Sequence, residues 1–173
     1  MHLGTVFNGA IITGNTMKGN TERGAGVFFC QDVTNVIVDK NTITDFHHGC
    51  SDEEYATVGK YNIIRSNTFS NITTYVFDFL KSTSKNHGGG LLITDNTING
   101  LKYTMFAGNY LDDVIISNNK IKSVDTIPST LIVSNNSNGM IIVGNTLPEG
   151  TSISQPVDVT DATNVVEASN SWN

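Results

Sequence analysis

The sequence predicts an all-β fold of stacked coils, a parallel β-solenoid, and three observations predict it. First, asparagine returns at a near-constant interval. Asn15, Asn41, Asn67, Asn96, Asn119, Asn145 and Asn170 are separated by 26, 26, 29, 23, 26 and 25 residues. Second, these asparagines sit in a common frame, an aliphatic run before and an apolar residue two places after, as in "NVIVDKNTITDF" and "LLITDNTINGL". Third, no segment carries a helical hydrophobic period. A fixed period of about 25 residues in this 173-residue chain is too short for a propeller blade and lacks the spacing of a leucine-rich repeat. Three short strands per coil fit it, and about seven such coils would stack at ~4.8 Å into a rod of roughly 30 Å.

Each element of the coil follows in chain order. The first strand is the aliphatic run, "AII" before Asn15 and "VIV" before Asn41. Asparagine then makes a tight turn, because it tolerates the left-handed backbone region better than most residues. Its amide can also bond backbone groups left over by the turn, and stacked like amides can bond one another along the axis. A second short strand brings Met17, Ile43, Phe69, Ile98, Ile121, Leu147 and Trp172 into one core column. A variable loop follows, and then a third strand, read from "VFFCQDVTNV", "EYATVGKYNI", "MFAGNYLDDV", "LIVSNNSNGM" and "PVDVTDATNV". In that frame Phe28, Tyr55, Phe77, Phe106, Ile132 and Val157 share an inward column.

Two aliphatic columns stand side by side in the first strand. One holds Ile12, Val38, Ile64, Ile93, Ile116, Ile142 and, out of pattern, Glu167; the other holds Ile11, Ile37, Ile63, Leu92, Ile115, Ile141 and Val166. Adjacent residues of a strand face opposite sides, so one column must point outward. A continuous outward aliphatic stripe calls for a partner, which is expected to be further copies of the chain.

The repeated turns resemble those of the right-handed parallel β-helix of the pectin-lyase-like superfamily, which includes bacteriophage tailspikes and appendages. The resemblance spans nearly the whole chain and speaks to fold far more than to function. It implies a right-handed helix, an asparagine ladder in the tight turn, and a homotrimer of the tailspike kind. It also implies a viral setting, on the virion tail or otherwise extracellular. The superfamily's polygalacturonases use an Asp-Asp pair, and Asp112–Asp113 is such a pair, but their "GHG" and "RIK" partners are missing. With only two arginines, Arg23 and Arg65, the arginine cluster of pectate lyases is missing too.

Composition bounds the rest. Charged residues are 15% and the net charge is -6, so there is no basic footprint for nucleic acid. No apolar run approaches the ~18 residues of a membrane span. The start, "MHLGTVFNGAIITGN", lacks a charged lead and a long apolar stretch and does not read as a signal peptide. Cys30 and Cys50 read as thiols rather than a disulfide framework. The chain reads as one domain over residues 1–173. It begins and ends within a coil without a capping helix, as a piece of a longer protein would.

Function in a solenoid sits in loops and on outward strand positions. Two loops carry polar clusters: "DFHHGCSDEE", with His47, His48, Asp52, Glu53 and Glu54, and "KSTSKNHGGG", with Lys81, Lys85 and His87. Glu22 and Arg23 occupy the corresponding loop of the first coil. Glu54 and Asp78 form the candidate catalytic pair. In the frame above they face outward on adjacent coils, about 8 Å apart, within the roughly 6.5–9.5 Å of inverting glycosidases. One would act as general acid and the other would activate water. Tyr55, Tyr75 and Tyr103, with His47 and His48, form a candidate carbohydrate surface, since tyrosine stacks on a sugar face and bonds a hydroxyl. No ligand spacing fixes a metal, and no cofactor is expected. The expected function is recognition of a host-surface polysaccharide, with a glycan depolymerase (glycosidase more than lyase) and a purely structural trimeric shaft as alternatives.

Overall fold

Every coil turns where a single residue enters the left-handed region, so the backbone can bend between strands only two to seven residues long. The computed structural model describes residues 1–3, 8–30, 33–52, 60–81 and 88–172. Among them the chain is all-β, with no helix, and winds about six turns of a parallel solenoid. Seven ladder asparagines mark the six steps, so the seven coils expected from the repeat count rungs rather than completed turns.

Three parallel sheets run along the axis. The first includes Ala25–Phe29, His48–Asp52, Phe77–Phe79, Phe106–Asn109 and Ile132–Asn135. The second includes Asn8–Thr13, Thr34–Asp39, Ile63–Arg65, Leu92–Thr94, Leu111–Ser117, Asn138–Val143 and Val166–Ala168. The third carries the short strands after the ladder, Thr16–Lys18, Thr42–Thr44, Thr68–Ser70, Thr97–Asn99 and Lys120–Ile121. No described helix is long and apolar enough to cross a membrane.

The core is a set of apolar columns. Ile43, Phe69, Ile98 and Ile121 pair in sequence through the third sheet and are buried. Val38, Ile64, Ile93, Ile116 and Ile142 do the same in the second. Phe69 and Phe77 meet edge to face at 5.1 Å between ring centroids, joining the third sheet to the first. Burying each large side chain contributes roughly 1.5–3 kcal/mol. This settles which aliphatic column looks out: Ile11, Ile37, Ile63, Leu92, Ile115, Ile141 and Val166 are aligned coil to coil on the outer face, with Ile11 69% exposed.

The turn chemistry differs from the expectation in one respect. The left-handed residue is the one before each ladder asparagine: Gly14, Lys40, Ser66, Asp95, Asn118, Gly144 and Ser169 all have φ between 53° and 68°. The asparagines serve through their side chains. Each Oδ1 from Asn41 to Asn170 accepts both the backbone N–H and one Nδ2–H of the preceding rung, at 2.9–3.1 Å. The other Nδ2–H donates to a carbonyl of the coil before, as Asn67 does to Val38 at 2.9 Å. Asn62, buried at the preceding corner, makes a similar clamp on Val36 and Val33.

Two further readings are corrected. The segment around His48 is a strand, not a loop: His48–Asp52 pairs with Ala25–Phe29 and with Phe77–Phe79. The inward column of the first sheet is therefore Val27, Cys50, Phe77, Phe106, Ile132 and Val157. Phe28 belongs one column over, opposite Ser51 and thence Asp78. Tyr55 lies outside the described residues, and its place in the column is taken by Cys50. Cys30 and Cys50 form no disulfide and are both buried; burial pushes the Cys50 thiol well above its ordinary pKa.

Candidate functional site

The outward column of the first sheet, Phe28, Ser51 and Asp78, floors a cleft of about 540 Å³. One side is the turn Glu22 to Ala25 with His47 and His48; Asp52 and Lys81 stand at the other end. The walls form where consecutive coils place unlike loops at one corner, so the cleft arises from the variable part of the repeat.

Asp78 is buried, and its Oδ2 lies 3.3 Å from His48 Nδ1 and 3.5 Å from Ser51 Oγ. The histidine contact is not aligned as a hydrogen bond. His48 has its pKa lowered, chiefly by burial and further by His47 and Lys81, with the Asp78 charge acting the other way. His48 is thus held toward its neutral form beside Asp78.

Asp52 occupies a stranger position. It pairs with Phe29 on one side and, by continuation of the register, stands level with Phe79 on the other. Those rings close to 6.0 Å between centroids around it. The carboxyl is 2% exposed, and among the described residues neither oxygen has a hydrogen-bond partner. Burial first, then the Asp78 charge, pushes its pKa up to about 8; the Lys81 and Asp52 amides and the Lys81 ammonium counter this only in part. Asp52 is therefore a protonated acid at neutral pH, one coil and one residue from Asp78, with their Cα atoms about 6 Å apart. One residue of offset sends the two side chains to opposite faces of the strand, Asp52 among the core rings and Asp78 into the cleft.

Beside the cleft runs a row of rings. His47 meets His48 edge-on at 4.4 Å, His48 stacks with Tyr75 at 5.8 Å, and Tyr75 meets Tyr103 edge-on at 5.4 Å. The Thr73 and Thr74 hydroxyls lie 3.2 and 3.0 Å from His47 Nδ1 and hold its ring. Tyr103 is 49% exposed at the open end of the row. The Tyr75 hydroxyl has its pKa raised by burial, then by Tyr103 and Asp78.

The structure brings together His47, His48, Tyr75, Tyr103 and Asp78 of the residues singled out in the sequence. Glu54 and Tyr55 lie outside the described residues, as do Lys85 and His87. The register behind the Glu54–Asp78 spacing does not hold, because Cys50, not Tyr55, faces Phe77, and Ser51 faces Asp78. Asp52 and Ser51 stand where sequence reasoning had placed a loop. The pattern "HGCSD" has no β-branched residue and no aliphatic alternation to mark it as a strand. Asp112 and Asp113 lie away from this cleft, beside Tyr61 and Gly90. No family model matches the chain, and no curated protein or solved structure matches it either.

Proposed function

We propose that this chain is a β-helical segment of a virion tailspike or appendage, of the pectin-lyase-like kind, that recognises a host cell-surface polysaccharide. The observation that carries this reading is the row His47, His48, Tyr75 and Tyr103 running along the axis beside a cleft of about 540 Å³. Successive coils offer rings at a spacing suited to successive parts of an extended chain. Aromatic faces bind the apolar faces of sugars while hydroxyl and imidazole tips bond their hydroxyls. The cleft lies within the roughly 300–1,000 Å³ common for ligand sites. The test is an array of bacterial capsular and O-antigen polysaccharides. At least one is retained, and Tyr75→Ala or Tyr103→Ala weakens it about tenfold, the ~1.4 kcal/mol of one lost ring contact. An array without a retained polysaccharide, or binding unchanged in both variants, overturns the reading.

A further inference from the structure

Asp78 Oδ2 lies 3.3 Å from His48 Nδ1, and that nitrogen is buried with no hydrogen-bond partner among the described residues. The 18% of the His48 side chain that stays exposed is therefore the opposite edge of the ring, with Nε2, and it opens on the cleft. We propose that His48, oriented by Asp78, is a general base that activates water to hydrolyse an O-acyl ester on the bound glycan. The glycan part rests on the reading of the cleft as a polysaccharide site; the pairing of His48 with Asp78 does not.

Both partners are fixed in place. The His48 ring is held between the edge of His47 and the face of Tyr75. Asp78 is 5% exposed, and its oxygens accept only long bonds, from the Leu80 N–H at 3.4 Å and Ser51 Oγ at 3.5 Å. It keeps the capacity to accept a further donor. An Nδ1–H given to Asp78 leaves the Nε2 lone pair toward the cleft, the tautomer a general base needs. Contacts of this kind are often poorly aligned until substrate binds.

The residues present decide between reactions. Cleaving a glycosidic bond calls for two carboxyls flanking it, and Asp52 turns its carboxyl into the core. Acyl transfer needs one group that takes a proton from the nucleophile and returns it to the leaving oxygen. Here Nε2 takes a proton from water as the water oxygen bonds to the acyl carbonyl carbon. The carbonyl oxygen gains the electron pair, and the Lys81 ammonium in the cleft stabilises its charge. The bond from that carbon to the sugar oxygen then breaks, and the sugar oxygen takes the proton back from His48. Ester and water become carboxylic acid and sugar hydroxyl. Ser51 is not the nucleophile, because its buried Oγ faces the Asp52 carbonyl at 3.2 Å and Asp78 rather than His48.

Hydrolysis of para-nitrophenyl acetate tests the pairing apart from the glycan. Turnover without a burst is expected, and His48→Gln should lower it roughly 100-fold or more. Burial, then His47 and Lys81, favour the neutral ring, while the Asp78 charge opposes them; Tyr75, Glu22 and Arg23 are the other ionisable groups beside it. Asp78→Asn should therefore lower turnover and also move the acid limb of the pH profile to lower pH, which a merely structural role would not do. Wild-type hydrolysis no faster than buffer, or unchanged in His48→Gln, or an acid limb unmoved in Asp78→Asn overturns the proposal. Should the variants misfold by circular dichroism, a wild-type rate flat between pH ~8 and ~4, across the histidine range, overturns it. Acetate release from O-acetylated bacterial polysaccharides tests the ligand. A retained O-acetylated polysaccharide that keeps all its acetate overturns the esterase and leaves recognition standing. Turnover of the small ester with no polysaccharide retained supports the pairing and overturns recognition.

Discussion

Asp52 is a carboxyl buried between the Phe29 and Phe79 rings, and that has a cost that depends on pH. Its pKa in the folded chain is about 8, against about 3.9 in an unfolded one. The folded state therefore binds the extra proton between these values. Below pH ~4 both states are protonated and the site costs nothing. As pH rises toward 8, folding loses stability at up to about 1.4 kcal/mol per unit, a few kcal/mol in total. Above 8 the loss is complete and the dependence flattens. Asp52→Asn keeps the shape and removes the titration. Urea unfolding of the two proteins should show the variant gaining on the wild type from pH 5 to pH 8. A stability difference that stays constant over that range would mean Asp52 is ionised in the fold.

At the scale of the strand and turn, the ladder is the element that makes the coil. An internal rung such as Asn67 is buried, and it accepts two bonds from Asn41 and donates to Asn96 and Val38. Asn67→Ala strands the two Asn41 donors and the Val38 carbonyl, each costing about 1–3 kcal/mol when buried. The loss should be about 3–5 kcal/mol in urea unfolding. Asn15→Ala, at the exposed first rung, should cost under about 1 kcal/mol, because water replaces what is lost; equal losses at the two positions would refute the ladder as the source of stability. This element was legible in the sequence because the same amide must recur at every coil, and recurrence survives without any structure. The left-handed position before it was not legible: Gly14, Lys40, Ser66 and Asp95 share a φ near 60° but no chemistry. The register of the first sheet was legible only where aliphatics repeat. Phe77, Phe106, Ile132 and Val157 were placed in one column correctly, whereas His48–Asp52, polar and glycine-bearing, was hidden in what looked like a loop. The site was half visible for the same reason: ring-bearing residues stand out by type, but the burial that makes Asp52 unusual belongs to the neighbours a register provides.

The molecule as a whole is a one-dimensional stack, and its stability is a sum of coils and the contacts between neighbours. The coil of Val166–Ala168 is weaker than the middle ones, because Glu167 occupies the column filled elsewhere by Val38, Ile64, Ile93, Ile116 and Ile142. It is exposed, and Trp172 Nε1 donates to its Oε1 at 2.7 Å, so the column ends in a polar contact instead of a packed aliphatic. Local opening should therefore start at that coil and run toward the middle, and amide hydrogen exchange reads that directly. The slowest amides are expected on the ladder and third sheet of the central coils, at Asn67, Asn96 and Ile98, each bonded or buried between two neighbours. Val166 to Ala168 should exchange fastest among the second-sheet strands, ahead of Ile115 to Ser117. Phe69→Ala, which empties a fully buried site between Ile43 and Ile98, should cost about 3–5 kcal/mol and raise exchange in the coils on both sides of it. Exchange that is uniform along the chain, or that rises everywhere equally in Phe69→Ala, would show that the solenoid opens as one unit rather than from that coil.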